Sequence, residues 1–272
     1  MQGRLSPRVD GKIQAFPFSC WQAEFASAER NGLSLMEWTL DQDGLYANPL
    51  LTEDGQNEIR QLRATHGIRI SSLTGDCFMQ SPFWKADGVV RQELLKDLRA
   101  VAMACHAVGI EMIVIPLVDN GRIETRAQED VLVEALAEEA AFLHEMDVKV
   151  VFESDFEARE LARFISRLDP SRYGINYDIG NSASLGFEPV EEIAAYGERI
   201  LNVHIKDRVL GGTTVPLGSG NAQFDQVFAA LARAGYRSTY ILQTARADDG
   251  KHAEVLCRYR DMALDWIKRH GA

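Results

Sequence analysis

A closed (β/α)8 barrel is the fold the sequence predicts, and three observations predict it. Short apolar runs rich in β-branched and aromatic residues alternate along the chain with longer amphipathic segments, which is the pattern of a parallel sheet covered by helices. Eight such units divide the chain evenly: 272 residues over eight leave 34 per strand and helix, an ordinary size for a barrel unit. The Gly-x-Gly-x-x-Gly turn that usually opens a doubly wound open sheet does not follow the first run, so the open alternative lacks its signature. No Gly/Ser-rich linker occurs and the 8 prolines are scattered, so one domain spanning 1–272 is expected.

The candidate strands, in order, are MQGRL at the start, LSLMEW (33–38), IRISSL (68–73), MIVIPLV (112–118), VKVVFES (148–154), YGINYD (173–178), ILNVHIK (200–206) and TYILQ (239–243). Each is short, apolar and rich in residues that fit a pleated, buried surface. Helical segments fill the intervals. The stretch 91–109 places Leu94, Leu95, Leu98, Val101, Ala102 and Cys105 on one face and stops at Gly109 directly before a strand, as an αL-terminated helix would. QEDVLVEALAEEAAFLHEM and FDQVFAALARAGY repeat the arrangement. The stretch GDCFMQSPFWKADG after the third run is longer than an ordinary βα connection. Its Phe78, Met79, Phe83 and Trp84 predict either an apolar lid over the barrel mouth or a contact with a second subunit in a homo-oligomer.

Composition excludes several roles. The 29 basic residues against 40 acidic ones give a net charge of −11, which repels a phosphate backbone, and no local basic groove offsets it, so no nucleic-acid partner is expected. Residues such as Arg258, Arg260 and Lys268 read as a solvated helix face. Cys20, Cys77, Cys105 and Cys257 form no Cys-x-x-Cys pair and suggest neither a thiolate metal site nor a disulfide framework. The polar start has no signal-peptide core, and the longest apolar run is far too short to span a bilayer, so a cytoplasmic protein without a membrane partner is expected. His66, His106, His144, His252 and His270 fall within or at the ends of helical patterns and carry solvated or core roles.

On a barrel the carboxyl ends of the strands converge on one mouth. Four consecutive runs end at Glu153, Asp178, His204 and Gln243. Asp178, in NYDIGN, could simply close an Asx turn. Two carboxylates, an imidazole and an amide oxygen meeting at one point also suit one divalent cation, Mn²⁺, Mg²⁺, Co²⁺ or Zn²⁺.

From VVFES through NYDIGN and NVHIKDR to PLGSGNAQF, the sequence resembles the xylose-isomerase-like barrels, the sugar phosphate isomerase/epimerase group. The opening MQGRLSP is similar to a subgroup of sugar phosphate isomerases. The resemblance covers nearly the whole chain. It implies that Glu153, Asp178 and His204 are metal ligands and that a sugar or sugar phosphate is the small-molecule partner. One departure matters: members of the group usually carry glutamate, the fourth ligand and one of two catalytic bases, where this chain has Gln243. Glutamine can coordinate through its carbonyl oxygen but cannot accept a proton near neutral pH. Asp248 and Asp249 read as first-turn charges of the last helix and do not replace it.

The chemistry expected from this set is removal of a proton beside a carbonyl, giving an enediolate, with Glu153 as base. One base returns the proton on the same face at the neighbouring carbon, which is aldose–ketose isomerisation; epimerisation requires a donor on the other face, such as water or Lys206. Glu37, at the end of LSLMEW, is a candidate for a substrate hydroxyl. Lys206, Arg208 and Arg246 are the nearest cations for a substrate phosphate or carboxylate. Asn181 occupies the turn where some members of the group place a substrate-binding histidine. A metal-dependent sugar or inosose dehydratase, a barrel that binds sugar without turnover, and an endonuclease-type relative are the alternatives, the last opposed by the acidic charge.

Overall fold

The computed structural model describes residues 1–9, 11–12, 14–248 and 250–271. Seven parallel strands, β1 (Leu35–Leu40), β2 (Arg69–Gly75), β3 (Met112–Leu117), β4 (Lys149–Ser154), β5 (Tyr173–Asp178), β6 (Ile200–Ile205) and β9 (Thr239–Leu242), are hydrogen-bonded in that order. A short antiparallel pair, β7 (Asp207–Arg208) with β8 (Thr214–Val215), follows β6. The first run, MQGRL, enters the sheet as a bridge instead of a full strand. Gln2 N donates to Leu242 O at 3.1 Å and Glu37 N donates to Met1 O at 2.8 Å, which joins β9 to β1 and nearly closes the barrel. Gly3 then takes a φ of +42°, a left-handed turn that ends extended pairing after two residues.

Ten helices lie among the described residues: α1 (Trp21–Arg30), α2 (Glu53–His66), α3 (Asp76–Gln80), α4 (Gly88–Val108), α5 (Arg126–Glu145), α6 (Ala158–Ser166), α7 (Ile179–Leu185), α8 (Pro189–Tyr196), α9 (Phe224–Arg233) and α10 (His252–His270). Every residue of β3 and β5 is buried, because helices cover one sheet face and the barrel interior covers the other. The amphipathic face expected between 91 and 109 is the inner face of α4: Leu98, Val101, Ala102 and Cys105 are buried, with Leu94 and Leu95 packed at its edge. Gly109 terminates that helix in the left-handed conformation.

The long stretch after β2 turns its aromatic side chains into the chain's own core instead of holding them over the mouth as a lid. It folds into α3 and a 3₁₀ turn at Phe83–Lys85, and Phe78, Phe83 and Trp84 are buried in the core. Phe83 and Trp84 pack edge to face at 5.1 Å, and the Trp84 indole donates to Gly121 O at 3.1 Å. The segment carries enough apolar area to bury itself, so of its four large side chains only Met79 reaches the mouth. Phe83→Ala should therefore cost about 3–5 kcal/mol in denaturant unfolding; a cost below about 1 kcal/mol would contradict core burial.

Candidate metal centre and active site

β4, β5 and β6 bring three of the four strand-end residues together, and the register explains how. Asp178 and His204 are direct neighbours across the β5–β6 pair, and Glu153 is the penultimate residue of the adjacent strand β4. His204 Nδ1 stands 3.1 Å from Glu153 Oε2 and 3.8 Å from Asp178 Oδ2. The Asx-turn expectation for Asp178 is met by one oxygen, and the other faces the neighbouring site residues. Oδ1 caps α7 by accepting from Asn181 N at 2.8 Å, whereas Oδ2 is turned to the centre, makes no hydrogen bond among the described residues and lies 2.7 Å from Lys206 Nζ. Burial would raise the Asp178 pKa, but the Lys206 charge and then His204 hold it well below the usual carboxylate range.

Glu37 lies beneath this centre, not in the mouth, which corrects the expectation that it holds a substrate hydroxyl. It is 2% exposed, and its oxygens accept from Ser72 Oγ, Thr74 Oγ1, Gln2 Nε2 and Asn202 Nδ2. Its Oε1 also stands 2.9 Å from His204 Nε2. Burial works against the Glu37 charge, yet the neighbouring His204 and the hydroxyl donors bring its pKa down to about 2. Burial likewise opposes the His204 charge, and the surrounding Glu37, Asp178 and Glu153 nevertheless raise its pKa well above the ordinary value. Glu37 thus lies on the Nε2 side of the imidazole, and Nδ1 faces Glu153 and Asp178.

Two amides position the Glu153 carboxylate: Asn176 Nδ2 donates to Oε2 at 2.9 Å and Asn181 Nδ2 to Oε1 at 2.6 Å. Asn176 and Asn202 each precede a site residue by two positions on its own strand, so the alternation of a strand places them on the same inward face. That spacing was the signal available for them in the sequence. Asn181 does more than turn the chain. Its Oδ1 accepts from Arg208 Nη1 at 2.9 Å and lies 3.4 Å from Lys206 Nζ, so it links both cations to the Glu153 carboxylate.

Lys206 and Arg208 line the cavity at the barrel mouth, about 920 Å³ in volume; Arg246 does not. Arg246 instead donates to Ser6 O at 2.6 Å, because the segment after β9 folds back on the N-terminal stretch. Asp249 lies outside the described residues, and Asp248 precedes the first turn of α10. Gly180 gives Lys206 its seat, since a Cβ there would stand 2.7 Å from Lys206 Cγ. The glycine turn of PLGSG wraps Asp207, whose oxygens accept from the backbone N–H of Gly218, Gly220 and Ala222; a side chain at Gly220 would collide with that carboxylate. The other described histidines sit away from the centre, as with His66 beside Glu29 and His270 beside Asp225.

Gln243, 5% exposed, shares the cavity wall with Glu153. Its Nε2 points to Gln14 Oε1 at 3.5 Å, and its Oε1 is buried with no hydrogen bond among the described residues. Gln14 in turn donates to Asp76 Oδ2 at 2.6 Å. Asp76 also lines the cavity; it continues the inward positions Ser72 and Thr74 past the end of β2. Burial, then the Asp41 charge, push its pKa up to about 7 against the Gln14 hydrogen bond. Sequence reasoning missed this residue because its run was read as ending before it.

The residues fit a divalent cation on the chemistry of the donor set. One atom each from Glu153, Asp178 and His204 lies within 4.8 Å of the others, and ligand bonds of about 2.0–2.2 Å place neighbouring donors about 3–4 Å apart. Asp178 Oδ2, paired with Lys206, and Gln243 Oε1, buried without a hydrogen bond among the described residues, are oxygen donors of the kind such an ion takes, and the second is costly to leave bare.

Comparison with known proteins agrees with this fold. Residues 25–268 match the family model described as xylose isomerase-like TIM barrel. The L-ribulose-5-phosphate 3-epimerase UlaE of Salmonella paratyphi A is 24% identical over 266 residues, covering 93% of this chain and 90% of that protein. Three solved structures share the fold: a xylose isomerase domain protein from Planctomyces limnophilus (TM-score 0.75, 15% identity, 90% of this chain and 93% of that one), the IOLI protein with a binding zinc atom (0.74, 17%, 92% and 93%), and D-psicose 3-epimerase with D-tagatose from Clostridium cellulolyticum H10 (0.71, 15%, 92% and 93%). No helix among the described residues is long and apolar enough to cross a membrane.

Proposed function

The chain belongs to the xylose isomerase-like TIM-barrel family, and from that premise we propose that it is a divalent-metal-dependent isomerase or epimerase of a sugar or sugar phosphate, working through an enediolate. The observation that carries the reading is the convergence of Glu153, Asp178 and His204, with Glu153 on the wall of a cavity that Gln243, its carbonyl oxygen without a hydrogen bond among the described residues, also lines. The names of the relatives, a pentulose-phosphate epimerase and a ketohexose epimerase, support it.

Glu153, Asp178, His204 and Gln243 would hold one ion, Mn²⁺, Mg²⁺, Co²⁺ or Zn²⁺, which when bound acts as a Lewis acid toward a carbonyl and its neighbouring hydroxyl. The protein does the rest. Glu153, aimed by Asn176 and Asn181, takes the proton from the carbon beside the carbonyl. Glu37 holds the His204 ring in place from behind. Lys206 and Arg208, gathered by Asn181, bind substrate oxygens and any phosphate.

The test is proton exchange. The Mn²⁺-loaded protein in deuterated water is expected to introduce deuterium at C3, the mark of epimerisation, or at C1, the mark of isomerisation, of at least one of D-psicose, D-tagatose and L-ribulose 5-phosphate. Exchange with none, despite bound metal, would favour a sugar-binding barrel without turnover, the reading that the proton-inert Gln243 supports. The fourth ligand has its own test. Gln243→Glu adds one negative charge to the shell and should tighten metal binding by about tenfold to a hundredfold, since affinity follows ligand charge. Unchanged affinity in equilibrium dialysis would place residue 243 outside the shell.

A further inference from the structure

We infer that Asp76 is the second acid/base residue of this active site, the group that exchanges a proton with the substrate carbon on the face that Glu153 does not reach. The inference rests on the enediolate reading above and deepens it, because it decides between isomerisation and epimerisation.

The argument is one of position. Residue 243, neutral in this chain, cannot carry a proton, yet its amide is connected through Gln14 to a carboxyl that can. Asp76 extends from the carboxyl end of β2, whereas Glu153 extends from the end of β4, with β3 between them. Both line the same cavity as Lys206 and Gln243. Two acids on separate strands can address the two faces of one planar carbon; one acid cannot. The charged groups facing Asp76 are Asp41, Glu153 and Lys206. Burial and then the Asp41 charge favour the protonated carboxyl, while the Gln14 hydrogen bond and Lys206 favour the ionised one, and a group that both takes and gives a proton needs both forms within reach.

The step balances. Glu153 accepts the C3 proton, and the C–H electron pair forms the enediolate C=C while the carbonyl pair moves onto oxygen. Protonated Asp76 then gives its proton to C3 from the other face, a new C–H bond forms from the C=C pair, and the oxygen pair restores the C=O. Glu153 leaves protonated and Asp76 ionised, and both reset by exchange with solvent.

The experiment follows two signals with the same three ketoses in deuterated water: deuterium entering C3, and inversion at C3. The wild-type protein should show both. Asp76→Asn should lose inversion by about 10²–10⁴-fold, the usual cost of removing a general acid or base, while C3 exchange falls by far less. Asp76→Glu should recover part of the inversion and shift its pH profile. Circular dichroism of each variant verifies folding. Inversion that survives in a folded Asp76→Asn variant would overturn the inference, and so would equal loss of both signals. Exchange without inversion in the wild type would overturn it too, leaving the enediolate reading intact with Glu153 as sole base. Absence of both signals and of C1 exchange with every ketose would instead remove the enediolate reading and this inference with it.

Discussion

Glu153→Gln is expected to lower C3 proton exchange by about 10²–10⁴-fold while leaving the fold and most of the metal affinity in place. The side chain is 6% exposed and accepts from two amides. Glutamine has nearly the same shape, and its carbonyl oxygen keeps one of those bonds and the capacity to bind metal. What it cannot do is accept a proton. The substitution thus separates positioning from basicity: the thermal midpoint should move by only a few degrees as exchange collapses. Exchange near the wild-type rate in a folded variant would remove Glu153 from the mechanism.

The second large effect is on metal content. The double change Asp178→Ala and His204→Ala removes two of the three converging donors, and bound divalent ion in equilibrium dialysis should fall from one per chain to none. The same change leaves Glu37 without His204 and Lys206 without Asp178, and stranding a buried charge costs about 3–5 kcal/mol. Asp178→Asn is the gentler companion. Asparagine keeps the Oδ1 cap on Asn181 N and the size of the side chain, so a folded protein with much weaker metal binding is the expected result. Metal content that survives the double change would place the site elsewhere.

The parts of this account legible in the sequence were those carried by strand termini. Glu153, Asp178 and His204 each end a buried β-rich run, and a closed barrel gathers such ends whatever the loops do. Residues whose role depends on tertiary neighbours were harder to read. Glu37 also ends an apolar run, but β1 places it low in the barrel, where Ser72, Thr74 and Asn202 enclose it. Its position along the strand, not its residue type, decides that it supports His204 and does not meet substrate. Arg246 follows Gln243 closely in sequence, yet the return of the chain onto Ser6 draws it off the cavity. Gln14 and Asp76 meet across 62 residues, a contact that no local pattern encodes. The aromatic stretch after β2 was ambiguous because apolar residues look alike in a lid and in a core; only the space available beside β3 and α5 settled them inside.

One measurement tests the central claim most directly. Protein stripped of metal with a chelator is titrated with Mn²⁺, and bound ion and C3 or C1 deuterium exchange on the most responsive ketose are read from the same samples. Exchange is expected to be absent at first, to rise in proportion to bound metal, and to saturate at one ion per chain. Exchange that proceeds at full rate in the stripped protein, or that stays absent at one bound ion with all three ketoses, would contradict a metal-dependent enediolate enzyme.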